Sequence, residues 1–394
     1  MQNLNTLVFN TNSPPIPQVQ EWGRAYAGQR GPLIDLCQAV PGYPPHPAML
    51  EHLAAAVAQP TSAKYGPILG DLPLREVYAS HLSALYSARI AVEQVAITAG
   101  CNQAFFATLL TLVGRGGTVL LPTPWYYNHQ MTCSMLGIQV RPLPCSADKG
   151  FVPDPEEAER LLDDQVRVIV LVTPNNPTGA VYPPEIIARF HRMCERRNIW
   201  LVLDETYRDF LPEGQGAPHD LLSRDNWSDN VVQLYSFSKA YALPGQRLGA
   251  LAGSPSLMPQ LLKVLDCMHI CANRVGQEAL LWGIDALAGW RTENRAEMVR
   301  RAAAMRACFA AIPHWQIDAL GAYFAYVRHP FAGTDAWKVV EHLALTDGVL
   351  ILPANAFAGS GDHVRISFAN IDASGIGALA QRLAGVAQDI SVPA

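Results

Sequence analysis

Between residues 95 and 252 the chain alternates short apolar runs with longer amphipathic stretches. The runs at 95–98, 118–121, 166–172, 200–204, 231–236 and 248–252 are apolar on consecutive positions, as strands covered on both faces should be. Between them, 103–113, 127–136 and 184–197 carry helical spacing, and the last opens with prolines, which a first helical turn tolerates. Such an alternation predicts an α/β fold built on a parallel sheet. Beyond about residue 285 the pattern changes. An alanine- and arginine-rich helix over 291–312, strands over 322–327 and 364–367, and a closing helix over 374–386 predict a smaller unit. The opening forty-odd residues, rich in Pro, Asn and Thr, read as an arm. The expected division is an arm with part of the small unit over 1–45, a large unit over 46–285 and the rest of the small unit over 286–394.

Composition narrows the partners. A chain of 394 residues is long enough for two packed units. Its net charge of -5 argues against a general affinity for nucleic acid or an anionic membrane, and so for small-molecule partners. No apolar run approaches the roughly 20 residues of a membrane span. The start, MQNLNTLVFNTNSPP, has neither a basic segment nor a long apolar core, so it does not read as a secretory signal. The eight cysteines form no CxxC pair and no tight metal-ligand cluster, which fits small buried hydrophobes in a cytoplasmic protein and no metal site.

In an open parallel sheet, ligands sit beyond the carboxyl ends of the strands, so the polar residues after each apolar run are the candidates. After 95–98 comes Gly100-Cys101-Asn102 and then a helix, whose free N–H groups and dipole suit an anion; taken alone, glycine turns of this kind are common. After 166–172 comes TPNNPTG, with Asn176 between prolines and its amide free to hydrogen-bond, although Asx-Pro turns are common too. Asp204 ends an apolar strand, where an ionised carboxylate needs a partner; the plain alternative is a capping aspartate. Tyr207, three residues on, can present a phenol to the same ligand. Lys239, at the end of the next run, is flanked by Ser236, Ser238 and Arg247. Desolvation and a nearby cation would lower its pKa until the free amine attacks carbonyls, making it a candidate Schiff-base lysine. One molecule uses all of these groups: its phosphate takes the helix start, the serines and Arg247, its ring nitrogen takes Asp204 and its aldehyde takes Lys239. That molecule is pyridoxal 5'-phosphate.

The order TAGCNQ, PTPWYYNH, NNPTGAVY, LVLDETYRDF, SFSKAYALPGQRLG and VRISF resembles the fold-type I pyridoxal-phosphate enzymes, and among them the class I/II aminotransferases. The resemblance implies a large domain with a mostly parallel seven-stranded sheet and a smaller α+β domain. It implies that Lys239 links the cofactor and shuttles the substrate's proton, that Asp204 holds the ring nitrogen, and that Asn176 and Tyr207 bond the cofactor's 3'-oxygen. Trp125 would stack on the ring and border the substrate. Gly100, Cys101, Asn102, Ser236, Ser238 and Arg247 would form the phosphate cup. Arg365 would grip the substrate's carboxylate, with Ala39 and Val40 beside it. Tyr65, in KYGPILGDLPLRE, matches a tyrosine that reaches the neighbouring subunit's phosphate, which implies a homodimer with shared active sites.

The sequence departs from the family pattern in places. In LCQAVPGYPPHP, Ala39 stands where relatives usually carry glycine, and a proline-rich turn follows around Tyr43 and His46. Cys101 replaces the usual alanine or serine. Arg274, in CANRVGQEAL, is a candidate for reading a side-chain carboxylate, with a surface or phosphate contact as the alternative. The implied reaction is transfer of an amino group from an L-amino acid to a 2-oxo acid by a ping-pong cycle. Relatives with the same residues also act as amino-acid oxidases or carbon-sulfur lyases. A remote rival reads Ser236 to Lys239 as the SxxK of a serine hydrolase, which would need further motifs such as KTG that the sequence lacks.

Overall fold

The computed structural model describes residues 4–386. Its main sheet has seven strands, in the spatial order Val95–Thr98, Gly249–Ala252, Val231–Ser236, Trp200–Asp204, Val166–Val172, Thr118–Thr123 and Gln139–Pro144. All neighbours run parallel except Gly249–Ala252, which is antiparallel to both of its partners. Six of these strands are the apolar runs of the sequence. The seventh, Gln139–Pro144, pairs only with Thr118–Thr123 and is mostly exposed, so neither burial nor apolar content marks it.

Alternate residues of the buried strands enter separate cores on the two faces. Ile97, Ile169, Leu201 and Tyr235 pack with the helices Leu72–Tyr86, Pro184–Arg197 and Arg274–Ala286. Ala96, Val168, Val202 and Leu234 pack with Cys101–Leu112, Tyr127–Leu136 and Met258–His269. Burial on both faces is why consecutive positions had to be apolar.

A second, antiparallel sheet orders Leu352–Pro353, His363–Ser367, Phe324–Arg328 and Gln316–Gly321 beside the long helix Ala288–Ala310 and the helix Ala373–Ala384. Its core also takes Val19, Leu36 and Cys37 from the start of the chain. The proline-rich opening therefore contributes structure. The helix Pro15–Ala25 uses its prolines in the first turn, where an amide hydrogen has no partner to lose, and buries Val19. Residues 1–3 and 387–394, which the expected units include, lie outside the described residues.

Among the described residues, no helix is long and apolar enough to cross a membrane. None of their His, Cys, Asp and Glu side chains form a group of three able to hold a metal ion.

Candidate active site

Asp204 and Ser236 are the last residues of adjacent parallel strands, and the register pairs Asp204 with Leu234, so Ser236 lies two residues further out at the same carboxyl edge of the sheet. A cavity of about 400 Å³ opens there. It brings together Cys101, Asn102, Asn176, Asp204 and Tyr207 with Ser236, Ser238, Lys239 and Arg247, and from the second sheet Arg365. Ala39 and Val40 line it from the opening segment.

Lys239 sits on a single helical turn, Phe237–Ala240, which Ser236 caps by accepting the Ser238 N–H at 3.3 Å. Its amine donates to the Ala39 carbonyl at 2.5 Å. Burial first, and then the Arg365 and Arg247 cations, bring the lysine down from an ordinary 10.5 to about 8.

Asp204 is buried, which by itself raises its carboxyl. The His129 ring and the Thr206 hydroxyl and amide more than reverse that, leaving the net direction downward. Oδ2 lies 3.2 Å from His129 Nε2, and Oδ1 accepts Thr206 Oγ1 at 2.7 Å and Thr206 N at 3.0 Å. The imidazole is stacked on Phe105 with centroids 3.8 Å apart, so packing fixes its orientation. The Cys101 thiol also points at Oδ1, at 3.7 Å, and is pushed well above its ordinary range by burial and then by that carboxylate. Burial likewise holds Tyr207 well above an ordinary phenol, so its oxygen keeps a proton to donate.

At the anion end, the helix Cys101–Leu112 starts at Gly100 without a side-chain cap, which leaves its first N–H groups free to point at a ligand. Gly100 has φ +86°, and a Cβ there would come 2.4 Å from Arg247 Nη2. Glycine is what lets the guanidinium close against the turn. Ser238 Oγ is buried with no partner in the protein. Such an orphan is costly unless a ligand fills it.

Arg365 is 2% exposed, and among the described residues no carboxylate pairs with it. It donates to Asn176 Oδ1 at 3.2 Å and to the Cys37 carbonyl, while its Nε has no partner. Phe324 and Phe357 lie 5.2 and 5.1 Å from its Cζ. A buried guanidinium with aromatic neighbours and no carboxylate of its own is a receptor for one.

Trp125, Tyr65 and Arg274 do not line this cavity. Trp125 does not face the cavity: its backbone N–H is tied to the Phe357 carbonyl at 2.9 Å, and its indole packs by Leu121, Pro122 and Val170. The next residue, Tyr126, lines the cavity in its place. Gly100 shapes the turn from behind Arg247. Tyr65 is 78% exposed and remote from the cavity of its own chain. Arg274 is held by Asp71 at 3.3 Å and the Thr61 carbonyl at 2.6 Å. Sequence reasoning missed His129, Thr206 and Ile16. The first had a signal, a polar residue in the opening turn of the helix after a sheet strand, whereas Ile16 had none.

A lysine of lowered basicity, a buried carboxylate and an orphaned anion cup at the carboxyl edge of this sheet define a fold-type I pyridoxal-phosphate enzyme. Comparison with known proteins is more specific. The family model for aminotransferase class I and II matches residues 31–383, and the chain belongs to that family. It is 28% identical over 387 residues to an aromatic aminotransferase of Arabidopsis thaliana, covering 96% of this chain and 95% of that one. It is 28% identical over 342 residues to an aspartate aminotransferase of Thermotoga maritima, covering 86% and 87%. The structure of an aspartate aminotransferase from Thermus thermophilus with maleate superposes with a TM-score of 0.90 at 25% identity, over 98% of this chain and 99% of that one. The protein is a pyridoxal-phosphate-dependent aminotransferase.

The lowered lysine predicts a pH profile for cofactor uptake. Only the neutral amine attacks an aldehyde, and the shift from 10.5 to about 8 favours that form. Covalent uptake of pyridoxal phosphate by the apoprotein, followed by its visible band, should rise through pH 8 and level off by about pH 9. A rate still climbing about tenfold per pH unit above that point would mean an ordinary lysine.

Proposed function

We propose that the protein carries an amino group from an L-amino acid to a 2-oxo acid in two half-reactions, with Lys239 moving the proton at the substrate's α-carbon. The observation that carries this reading is that Lys239, Asp204 and the carboxylate-free Arg365 line one cavity. When bound, pyridoxal phosphate supplies the electron sink that makes the α-proton acidic. The orphaned Ser238 hydroxyl, Ser236, Arg247 and the amides after Gly100 fit its phosphate, and Asp204 fits its ring nitrogen. Tyr207 and Asn176 are the donors for its 3'-oxygen, and Tyr126 takes the stacking place expected of Trp125.

Arg365 then binds the substrate's carboxylate with its fork, held in orientation by Asn176 and the two phenylalanines. Lys239 Nζ would accept the α-proton as a neutral amine and, as the ammonium, give it up on the cofactor's side rather than to the carbon it left, and the Ala39 carbonyl can hold that ammonium between the two steps.

In this reading the enzyme is a homodimer with shared sites. The outward Tyr65 supports it, since that side chain is exposed and does not line the cavity of its own chain. Eight free cysteines and no disulfide support a reducing, cytoplasmic setting. The expected units of 46–285, and of 1–45 with 286–394, would place Lys239 and Arg365 on opposite walls.

The test is to add single L-amino acids and then 2-oxo acids to the holoenzyme, with and without oxygen. Loss of the visible band with an amino acid and its return with a 2-oxo acid, under argon, is the expected result. Return only with oxygen, or release of pyruvate and ammonia, would give the site to an oxidase or a lyase instead.

A further inference from the structure

We propose that the site takes amino acids with neutral, apolar side chains and turns away dicarboxylic ones. The inference rests on amino-group transfer at Lys239 and adds the substrate class. The names of the relatives do not decide it, since an aromatic and an aspartate aminotransferase are each 28% identical to this chain.

The charges in the cavity do decide it. Among the described residues that line it, the cations are Lys239, Arg247 and Arg365. Each has its own task. Arg247 lies against the Gly100 turn at the anion end, Lys239 must be a neutral amine to react, and Arg365 presents one guanidinium for the α-carboxylate common to all amino acids. A second carboxylate would find no further cation among the residues of this chain that line the cavity. It would meet instead Ile16 and Val40 and the neutral amides of Gln38 and Asn102. The apolar side of this wall is anchored, because Ile16 belongs to the helix whose Val19 is buried in the core. Next to Tyr65 the chain carries one exposed cation, Lys64, whereas the other cation near that segment is not free. Arg274, which packs on Gly66 next to Tyr65, is already engaged by Asp71 and the Thr61 carbonyl.

An ionised carboxylate buried without a partner is strongly disfavoured, whereas an apolar side chain gains from leaving water. The first half-reaction of the holoenzyme, followed by stopped-flow loss of the visible band, should run at a second-order rate about a hundredfold or more higher with L-phenylalanine and L-leucine than with L-aspartate and L-glutamate. Equal rates, or faster reaction with the acids, would overturn the assignment. No bleaching with any of the four would instead remove the amino-transfer reading, and this one with it. Ile16→Arg should move the aspartate-to-phenylalanine ratio about tenfold towards aspartate by placing a cation on the wall, and Val40→Arg is a second probe if the first does not fold. A ratio unchanged in folded, cofactor-loaded variants would show that the side chain does not meet this wall.

Discussion

Lys239→Ala should keep its affinity for pyridoxal phosphate within about tenfold while losing amino transfer by a thousandfold or more. The retained affinity follows from the cup, because the Gly100 turn, Ser236, Ser238 and Arg247 do not depend on the lysine. The lost turnover follows from the proton. Positioned general acid–base groups contribute about 10² to 10⁴ in rate, and here one amine also serves as the nucleophile that captures the cofactor. Among the other groups lining the cavity, none can replace it. The Tyr207 phenol and the Cys101 thiol are both held protonated by burial, and Asp204 is occupied by His129 and Thr206. A small primary amine added to the buffer should restore part of the rate, in proportion to its free-base concentration. Turnover near wild type in the alanine variant would mean that another group moves the proton.

Arg365→Lys should raise KM for amino acids about a hundredfold and change kcat far less. An ammonium keeps the charge but not the planar pair of donors that matches the two oxygens of a carboxylate. The substitution would also leave Asn176 Oδ1 and the Cys37 carbonyl without the donors they now have. Cofactor uptake is the control. It should be unchanged, since Arg365 lies on the wall contributed by His363–Ser367 and takes no part in the phosphate turn. A KM that stays put would assign the carboxylate to another group. A loss confined to kcat would make Arg365 a residue that orients Lys239 through its charge, which is one of the causes of that lysine's lowered basicity.

Much of this site could be read from the chain because burial leaves few options. A strand covered on both faces must be apolar throughout, so a charge at its end stands out, and Asp204 and Lys239 were visible for that reason. Lys239 in fact sits one helical turn beyond its strand, with Ser236 as the cap. The partner expected for Asp204 was the cofactor's ring nitrogen, and its neighbour within the protein, His129, was not foreseen. The two residues are 75 positions apart (204 − 129), and the imidazole is aimed by stacking on Phe105 and by an edge contact with Tyr126.

The sequence by itself determined the sheet's interior strands and the reactive types at their ends, because those depend on local burial and on the chemistry of a residue and its near neighbours. Tertiary structure decided which neighbours meet. In PWYY the ring face was expected of Trp125, yet Tyr126 lines the cavity, and the Trp125 amide is bonded to the Phe357 carbonyl. The edge strand Gln139–Pro144 exists through its partner rather than its own apolar content. Lys239 and Ala39, 200 residues apart, share a hydrogen bond, and Ile16 reaches the same cavity from a proline-rich opening that shows no chemistry of its own. Contacts at such separations are set by packing in three dimensions, and no pattern of spacing along the chain encodes them.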